Sequence, residues 1–341
     1  MVFALIVLVL LGVSMVFNLG HFLHGLVPVP VARARAVGPR LEEVVTVDND
    51  ASIKIAVVDV QGLITGRAVD QGGYSMVDVI KAQLKRAEED AKVKAVILKV
   101  DSPGGEVLAS DEISRAITEF QTKPHGKPVV CSMGSLAASG GYYVSAPCRW
   151  IVANDLTITG SIGVIMSTWN YRHLMDMVGI VPETFKSGKY KDMLSGSREP
   201  DSITKEERDM VQALINETFE KFKDVVEGGR KWAQTRNKDK GRTLTDDWKD
   251  YADGRILSGT EAFKLGFVDE LGTFDDAVKR AKNIAAIREA NLIEYQQRFD
   301  LSDFLRLFGQ TDSKAVKVDL GLDAPKLQAG HLYFLSPTYL H

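Results

Sequence analysis

Cysteine is scarce in this chain of 341 residues: there are two, Cys131 and Cys148. Two cannot build a disulfide framework, and they cannot supply the ligand set of a structural zinc site. Cys131 falls in an apolar run and reads as a buried apolar residue. A bridge between the two would require an extracytoplasmic domain. Net charge is also small, a formal -3, so there is no basic field to hold nucleic acid. No G-x-x-x-x-G-K-[ST] run occurs, and the glycine turns of this chain are therefore not nucleotide phosphate loops. Histidine is limited to His21, His24, His125, His173, His331 and His341. None stands where a serine and a carboxylate would complete a triad with it. No metal and no cofactor is expected.

Charge is missing altogether from residues 2–30. A membrane span needs ~20 mostly apolar residues. Residues 1–27 are therefore expected to form a single transmembrane anchor. A cleaved signal peptide fits less well, because no basic segment precedes the apolar core and that core is long. Arg33, Arg35 and Arg40 follow it, and by the positive-inside rule they would keep the rest of the chain in the cytoplasm. Residues 28–50, with Pro28, Pro30 and Pro39, read as a linker.

From about Ile53 the apolar pattern switches between short runs and helical spacing. Strands are expected at 53–60, 95–100, 128–132, 150–153, 164–167 and 181–185, and helices at 77–91, 107–120, 171–178, 204–227, 245–251, 260–265 and 275–287. Strand alternating with helix means an α/β domain with a parallel sheet and right-handed crossovers. It is expected to fill residues 51–290. Residues 291–341 are expected to form a tail, in which Phe304, Leu305, Leu307 and Phe308 make an amphipathic docking segment or a plain core helix.

Two turns stand out. In the first, Asp101-Ser102-Pro103-Gly104-Gly105 ends an apolar strand and opens a helix. In the second, residues 131–146 run from a strand through Ala138-Ser139-Gly140-Gly141 into a helix. A short side chain at a helix N-terminus meets unpaired N–H groups and the positive end of the helix dipole. A nucleophile and its oxyanion hole can share such a turn. Ser139 is the candidate nucleophile. It needs a base, and with no suitable histidine a lysine is the alternative. Lys186, Lys189 and Lys191 lie together in a glycine- and serine-rich segment, and chemistry alone does not choose between them.

These motifs, with Thr159-Gly160-Ser161-Ile162-Gly163, Ser187-Gly188-Lys189-Tyr190-Lys191-Asp192, Ser197-Arg198-Glu199, Gly254-Arg255 and residues 265–272, resemble the signal peptide peptidase A (SppA) family of serine peptidases over about 53–287. The Ser139 and Lys191 segments occur once each, as in the short, single-repeat form. The resemblance implies a fold shared with Clp proteases and crotonases. It implies a dyad of Ser139 as nucleophile and Lys191 as base, Ser161 orienting the lysine, and oxyanion N–H groups from Gly104 or Gly105 and from Gly140. Ser135 and Ser145 would then be structural. It also implies a membrane-anchored endopeptidase acting on cleaved signal peptides and on misfolded membrane proteins. Leu136, Val164 and Ile165 would line an apolar groove. The enzyme would be a homo-oligomer with its catalytic domain outside the cytoplasm, against the reading of the arginines. Two other readings share the glycine turns: a crotonase-like acyl-CoA enzyme, in which Lys191 has no role, and a catalytically silent membrane scaffold.

Overall fold

Side chains alternating between two apolar faces build the centre of the molecule. The computed structural model describes residues 38–68, 73–238, 240–297 and 332–335. β1 (Leu41–Val47) and β2 (Lys54–Gln61) precede α1 (Met76–Glu89). Then come β3 (Val93–Ser102), the short β4 (Gly104–Glu106) and α2 (Val107–Thr122). β5 (Val129–Ala138) runs into α3 (Gly140–Ser145), followed by β6 (Trp150–Ala153) and β7 (Ile158–Gly160). A segment with little regular structure carries α4 (Arg172–Met177) and leads to α5 (Lys205–Arg236). β8 (Ile256–Ser258), α6 (Gly259–Lys264), β9 (Glu270–Leu271), α7 (Phe274–Ile284), β10 (Asn291–Gln297) and β11 (Tyr333–Leu335) follow.

The main sheet has the order β1-β10-β2-β3-β5-β6-β9. It is parallel except at β1, which pairs antiparallel with β10. β7 extends the end of β5 in parallel and pairs antiparallel with β8. β11 pairs antiparallel with β4 in a separate two-stranded sheet. Ala56, Val58, Val60, Val96, Leu98 and Val100 pack toward Ile80, Leu84, Ile113 and Ile117 of α1 and α2. Ile55, Val57, Ala95 and Ile97 point the other way, toward Ala277 and Ala281 of α7. This period of two with both faces covered is the signature of a buried parallel sheet. Each fully buried Ile, Leu or Val contributes about 1.5–3 kcal/mol relative to exposure.

The expected α/β fold with a parallel sheet and flanking helices is therefore present, with several differences. The sheet reaches beyond 51–290 at both ends: β1 lies in the expected linker and β10 in the expected tail. β1 reads poorly because it is a charged edge strand, exposed over most of its length. Residues 181–185 form no strand, since Val181 and Phe185 are exposed and no strand among the described residues pairs with them. Of 164–167 only Ile165 makes a β-bridge, to Tyr333. The expected helix at 245–251 shrinks to a 3-10 turn, Trp248–Tyr251. Helix α5 continues nine residues past its expected end, through Gly228-Gly229 to Arg236. The expected anchor at 1–27 and the segment around Phe304 lie outside the described residues. No helix among the described residues is long and apolar enough to cross a membrane.

Candidate active site

Ser139 joins β5 to α3 with φ 53° and ψ −116°. A residue with a side chain adopts this conformation only under strain, and it is held where the surrounding structure over-determines it. Its N–H donates to the Gly160 carbonyl at 2.8 Å, and its own carbonyl accepts from Tyr143 N–H at 2.8 Å. Its hydroxyl, by contrast, is fully buried and has no hydrogen-bond partner among the described residues. A buried hydroxyl without a partner costs stability, so the fold pays that cost to present this group. Ser161 stands next to it through Gly160. It too has positive φ, is buried, and donates its N–H to Arg255 O at 2.7 Å.

The β3–β4 turn meets the Ser139 turn at closest range. A Cβ on Gly140 would lie 3.0 Å from Gly104 Cα and 3.1 Å from Gly105 N. Only glycine allows the two backbones this near. Ser102 shapes the turn: its Oγ donates to Gly62 O at 2.6 Å and accepts from Gly104 N–H at 3.1 Å. Gly104 thus gives room, while its own N–H is engaged. Gly105 N lies beside Gly140, with Phe334 of β11 opposite Gly105 in the strand register, and the Gly140 N–H opens α3, where no intrahelical acceptor exists. Asp101 ties the two turns together by accepting from Leu136 N–H at 3.0 Å. Ser145 donates to Gly141 O at 2.7 Å and accepts from the Cys131 thiol at 3.3 Å, a structural role. Both cysteines are buried and free.

Behind the turn, α3 is clamped. Tyr142 donates to Phe267 O at 2.9 Å, and Tyr143 donates to Asp111 Oδ1 at 2.7 Å. Burial raises both phenol pKa values, for Tyr143 with the Asp111 hydrogen bond as second cause, so both remain donors. Arg230 from α5 donates to Cys148 O at 3.2 Å and pairs with Asp269, both side chains almost wholly buried. Sequence reasoning missed this pair, because Arg230 sits in a helix that had been expected to end before it.

The lysines lie elsewhere. Lys186 pairs with Asp192 at 2.7 Å, and Lys189 pairs with Glu206 at 3.0 Å. The Tyr190 hydroxyl and then Glu206 push the Lys189 pKa up, which makes it a poor base. Lys191 is exposed and makes no side-chain hydrogen bond or ion pair among the described residues. The structure therefore brings together Ser139, Gly104, Gly105, Gly140 and Ser161 within one chain and does not bring Lys191 to them. His125 and His173 are both exposed.

The sequence model of peptidase family S49 matches residues 121–288. Among curated proteins, one named as a protease in Methanocaldococcus jannaschii is 43% identical over 224 residues, 66% of this chain and 65% of that one. One named as the signal peptide peptidase SppA in Enterococcus faecium is 38% identical over 63% of this chain and 58% of that one. One named as a protease in Synechocystis is 40% identical over 61% of this chain and 69% of that one. The chain thus spans less than two thirds of the first two relatives.

Proposed function

The chain belongs to peptidase family S49, the SppA-type serine peptidases, and from that premise we propose that it hydrolyses peptide bonds with Ser139 as nucleophile and Lys191 as general base. The observation that carries this reading is the Ser139 hydroxyl, buried without a partner among the described residues on a strained turn beside closely approaching glycine backbones. A peptide carbonyl entering the gap accepts from Gly105 and Gly140 N–H. Neutral lysine takes the hydroxyl proton as Oγ attacks. The oxyanion is held by the two N–H groups. The ammonium then returns its proton to the leaving amine, and water hydrolyses the acyl-enzyme. Ser161, beside Ser139, orients the lysine amine. A lysine works as a base only when neutral, and burial against apolar groups favours that form.

In a single chain Lys191 stands in solvent, on a segment that also exposes Trp169, Met177, Val181 and Phe185, each more than 75% exposed. An apolar surface of this kind needs a cover. We infer that the cover is a second copy of the chain, and that the docked segment carries Lys191 to the Ser139 of its neighbour. The homo-oligomer is then a condition of activity. Leu136, Val164 and Ile165 are partly buried beside the site, which suits apolar stretches such as those of released signal peptides, and a membrane-anchored enzyme facing away from the cytoplasm would meet them.

A fluorophosphonate probe checks the nucleophile. The unchanged protein is expected to be labelled at Ser139 and to cleave an apolar, leader-like peptide. Ser139→Ala is expected to lose the label and at least about a thousandfold in kcat/KM. Labelling at another serine, or undiminished cleavage by the variant, would overturn the assignment.

A further inference from the structure

The motif Ser197-Arg198-Glu199 takes no part in the chemistry above, yet each of its side chains holds a piece of the segment that carries Lys191. The Ser197 and Ser195 hydroxyls share a hydrogen bond of 2.9 Å. Glu199 pairs with Arg172 of α4 at 2.7 Å, and Arg172 pairs in turn with Asp176 at 2.8 Å. Two backbone ties run alongside: Asn170 donates to Arg198 O at 2.9 Å, and Tyr171 N–H donates to Gly196 O at 2.8 Å. The exposed apolar stretch around α4 is thereby fastened to residues 195–199.

Arg198 connects this stretch to α5 and to the lysine turn together. Its guanidinium forks on Glu207, with Nη1 2.5 Å from Oε1 and Nη2 3.4 Å from Oε2. Nη2 also donates to Ser202 O at 2.7 Å, and Nη1 lies 3.6 Å from Asp192 Oδ1. Asp192 directly follows Lys191 and takes Lys186 Nζ at 2.7 Å. Lys191 has no side-chain partner among the described residues, so its backbone places it. That backbone is a series of turns: Lys191 N–H donates to Gly188 O at 3.2 Å and Met193 N–H to Tyr190 O at 3.0 Å. The nearest side-chain anchor in sequence is Asp192, and through it Arg198.

Glu207 is unusual for a capping residue. Its Oε2 accepts from Thr204 N–H at 2.8 Å, and Thr204 Oγ1 accepts from Glu207 N–H at 3.2 Å, which closes a capping box at the start of α5. The corresponding glutamate of α6, Glu261, is exposed and takes no arginine among the described residues. Glu207 is 3% exposed. Arg198 first, and the Thr204 N–H second, draw its pKa down to about 2. A two-point arginine–carboxylate contact fixes orientation as well as distance, and burial makes it costly to break from one side. The far end of α5 is rooted in the core of its own chain by Phe222 and Arg230.

Resting on the reading of Lys191 as the base, we propose that Arg198 and Glu207 are positioning residues, whose fork holds the Lys191 turn to the start of α5 so that the amine arrives at the neighbouring Ser139 in one place. Without the fork the apolar stretch still docks, but the lysine is no longer held at the hydroxyl. The loss falls on kcat, and it falls in the copy that supplies the lysine.

Mixed oligomers test this. A full-length Ser139→Ala chain supplies the lysine and a full-length Lys191→Ala chain supplies the serine, and peptide cleavage by that pair is the reference. Arg198→Met is then added to one chain or to the other. On the lysine-supplying chain it is expected to lower kcat at least about tenfold, with KM within about twofold. On the serine-supplying chain it is expected to leave kcat within about twofold of the reference. Equal losses in both placements, or no loss in the first, would overturn the proposal. Should Arg198→Met not fold or assemble, Glu207→Gln, which keeps an oxygen for the Thr204 N–H, is placed in the same two ways and decides by the same outcomes. A reference pair that is inactive while the unchanged protein cleaves would count against the site shared between copies. The clamp is then read on the single variant Arg198→Met, where a fall in kcat at steady KM, partly restored in Arg198→Lys, is expected and a normal kcat would overturn it. An unchanged protein that cleaves no peptide would instead overturn the peptidase reading on which the clamp rests.

Discussion

A methyl group on Gly104 would sit 1.9 Å from Phe334 O and 2.6 Å from Gly140 N, at a φ of +103° that side chains avoid. Neither neighbour is a flexible side-chain end, so the backbone would have to move and the two turns would separate. Gly104→Ala is expected to lower kcat/KM for peptide cleavage at least about a hundredfold, comparable with losing one oxyanion donor, with KM changed far less than kcat. A variant with normal kcat would show that the close approach of the two turns has no part in catalysis. At this scale much was legible in the sequence. Ser139 and the glycines announce themselves by composition, because only small residues permit a strained strand-to-helix turn against another backbone. Lys191 was not separable from Lys186 and Lys189 by chemistry. What separates them physically is that Lys186 and Lys189 are ion-paired with Asp192 and Glu206, and sequence spacing cannot show such pairing. Ser102 stood inside a motif, but its grip on Gly62 O and Gly104 N–H depends on a chain crossing 40 residues away.

Helix α5 shows the same limits one level up. Gly228-Gly229 reads as a helix stop, because glycine commonly ends helices. Here the second glycine serves another purpose: a Cβ at Gly229 would lie 2.6 Å from Ala146 O, so glycine lets α5 approach the end of α3. At that crossing Arg230 reaches the Cys148 carbonyl and Asp269. Gly228 has nothing within 4 Å of its Cβ position. The two neighbours should therefore respond in opposite directions. Gly228→Ala is expected to stabilise the protein by about 0.5–1 kcal/mol through helix propensity. Gly229→Ala is expected to destabilise it by about 1–3 kcal/mol through overpacking. Urea denaturation of the two variants beside the unchanged protein checks both, and equal effects would mean that α5 does not press on α3 at this point. Strands β2, β3 and β5 were legible as apolar runs because both of their faces are buried. β1 was not, since an exposed edge keeps its charges, and β11 was not, since three residues carry no period.

Across the whole molecule the parallel α/β pattern of β2, β3, β5 and β6 places two turns at one edge of the sheet, which is where such folds bind ligands. That much followed from the alternation of strand and helix alone. What the alternation could not show is that the proposed dyad would need a second copy to be complete. Ser139 is sealed inside with an orphan hydroxyl, while Lys191 is exposed on a segment rich in uncovered apolar side chains. Two facts that each look like a defect become one arrangement if the segment belongs on a neighbouring copy. The covered segment would also bring its lysine into apolar surroundings, as the base requires.

Mixing two inactive variants tests this most directly. Full-length Ser139→Ala and Lys191→Ala are assayed separately and after subunit exchange, on an apolar leader-like peptide, from roughly pH 6 to roughly 10, where a lysine base would titrate. Each alone is expected to be inactive. Random assembly leaves about a quarter of the sites with both groups intact when they come from different copies, so the mixture should recover about that share of the activity of the unchanged protein. A mixture as inactive as its parts, with exchange verified, would contradict the shared site, and activity of Lys191→Ala alone would contradict the dyad itself.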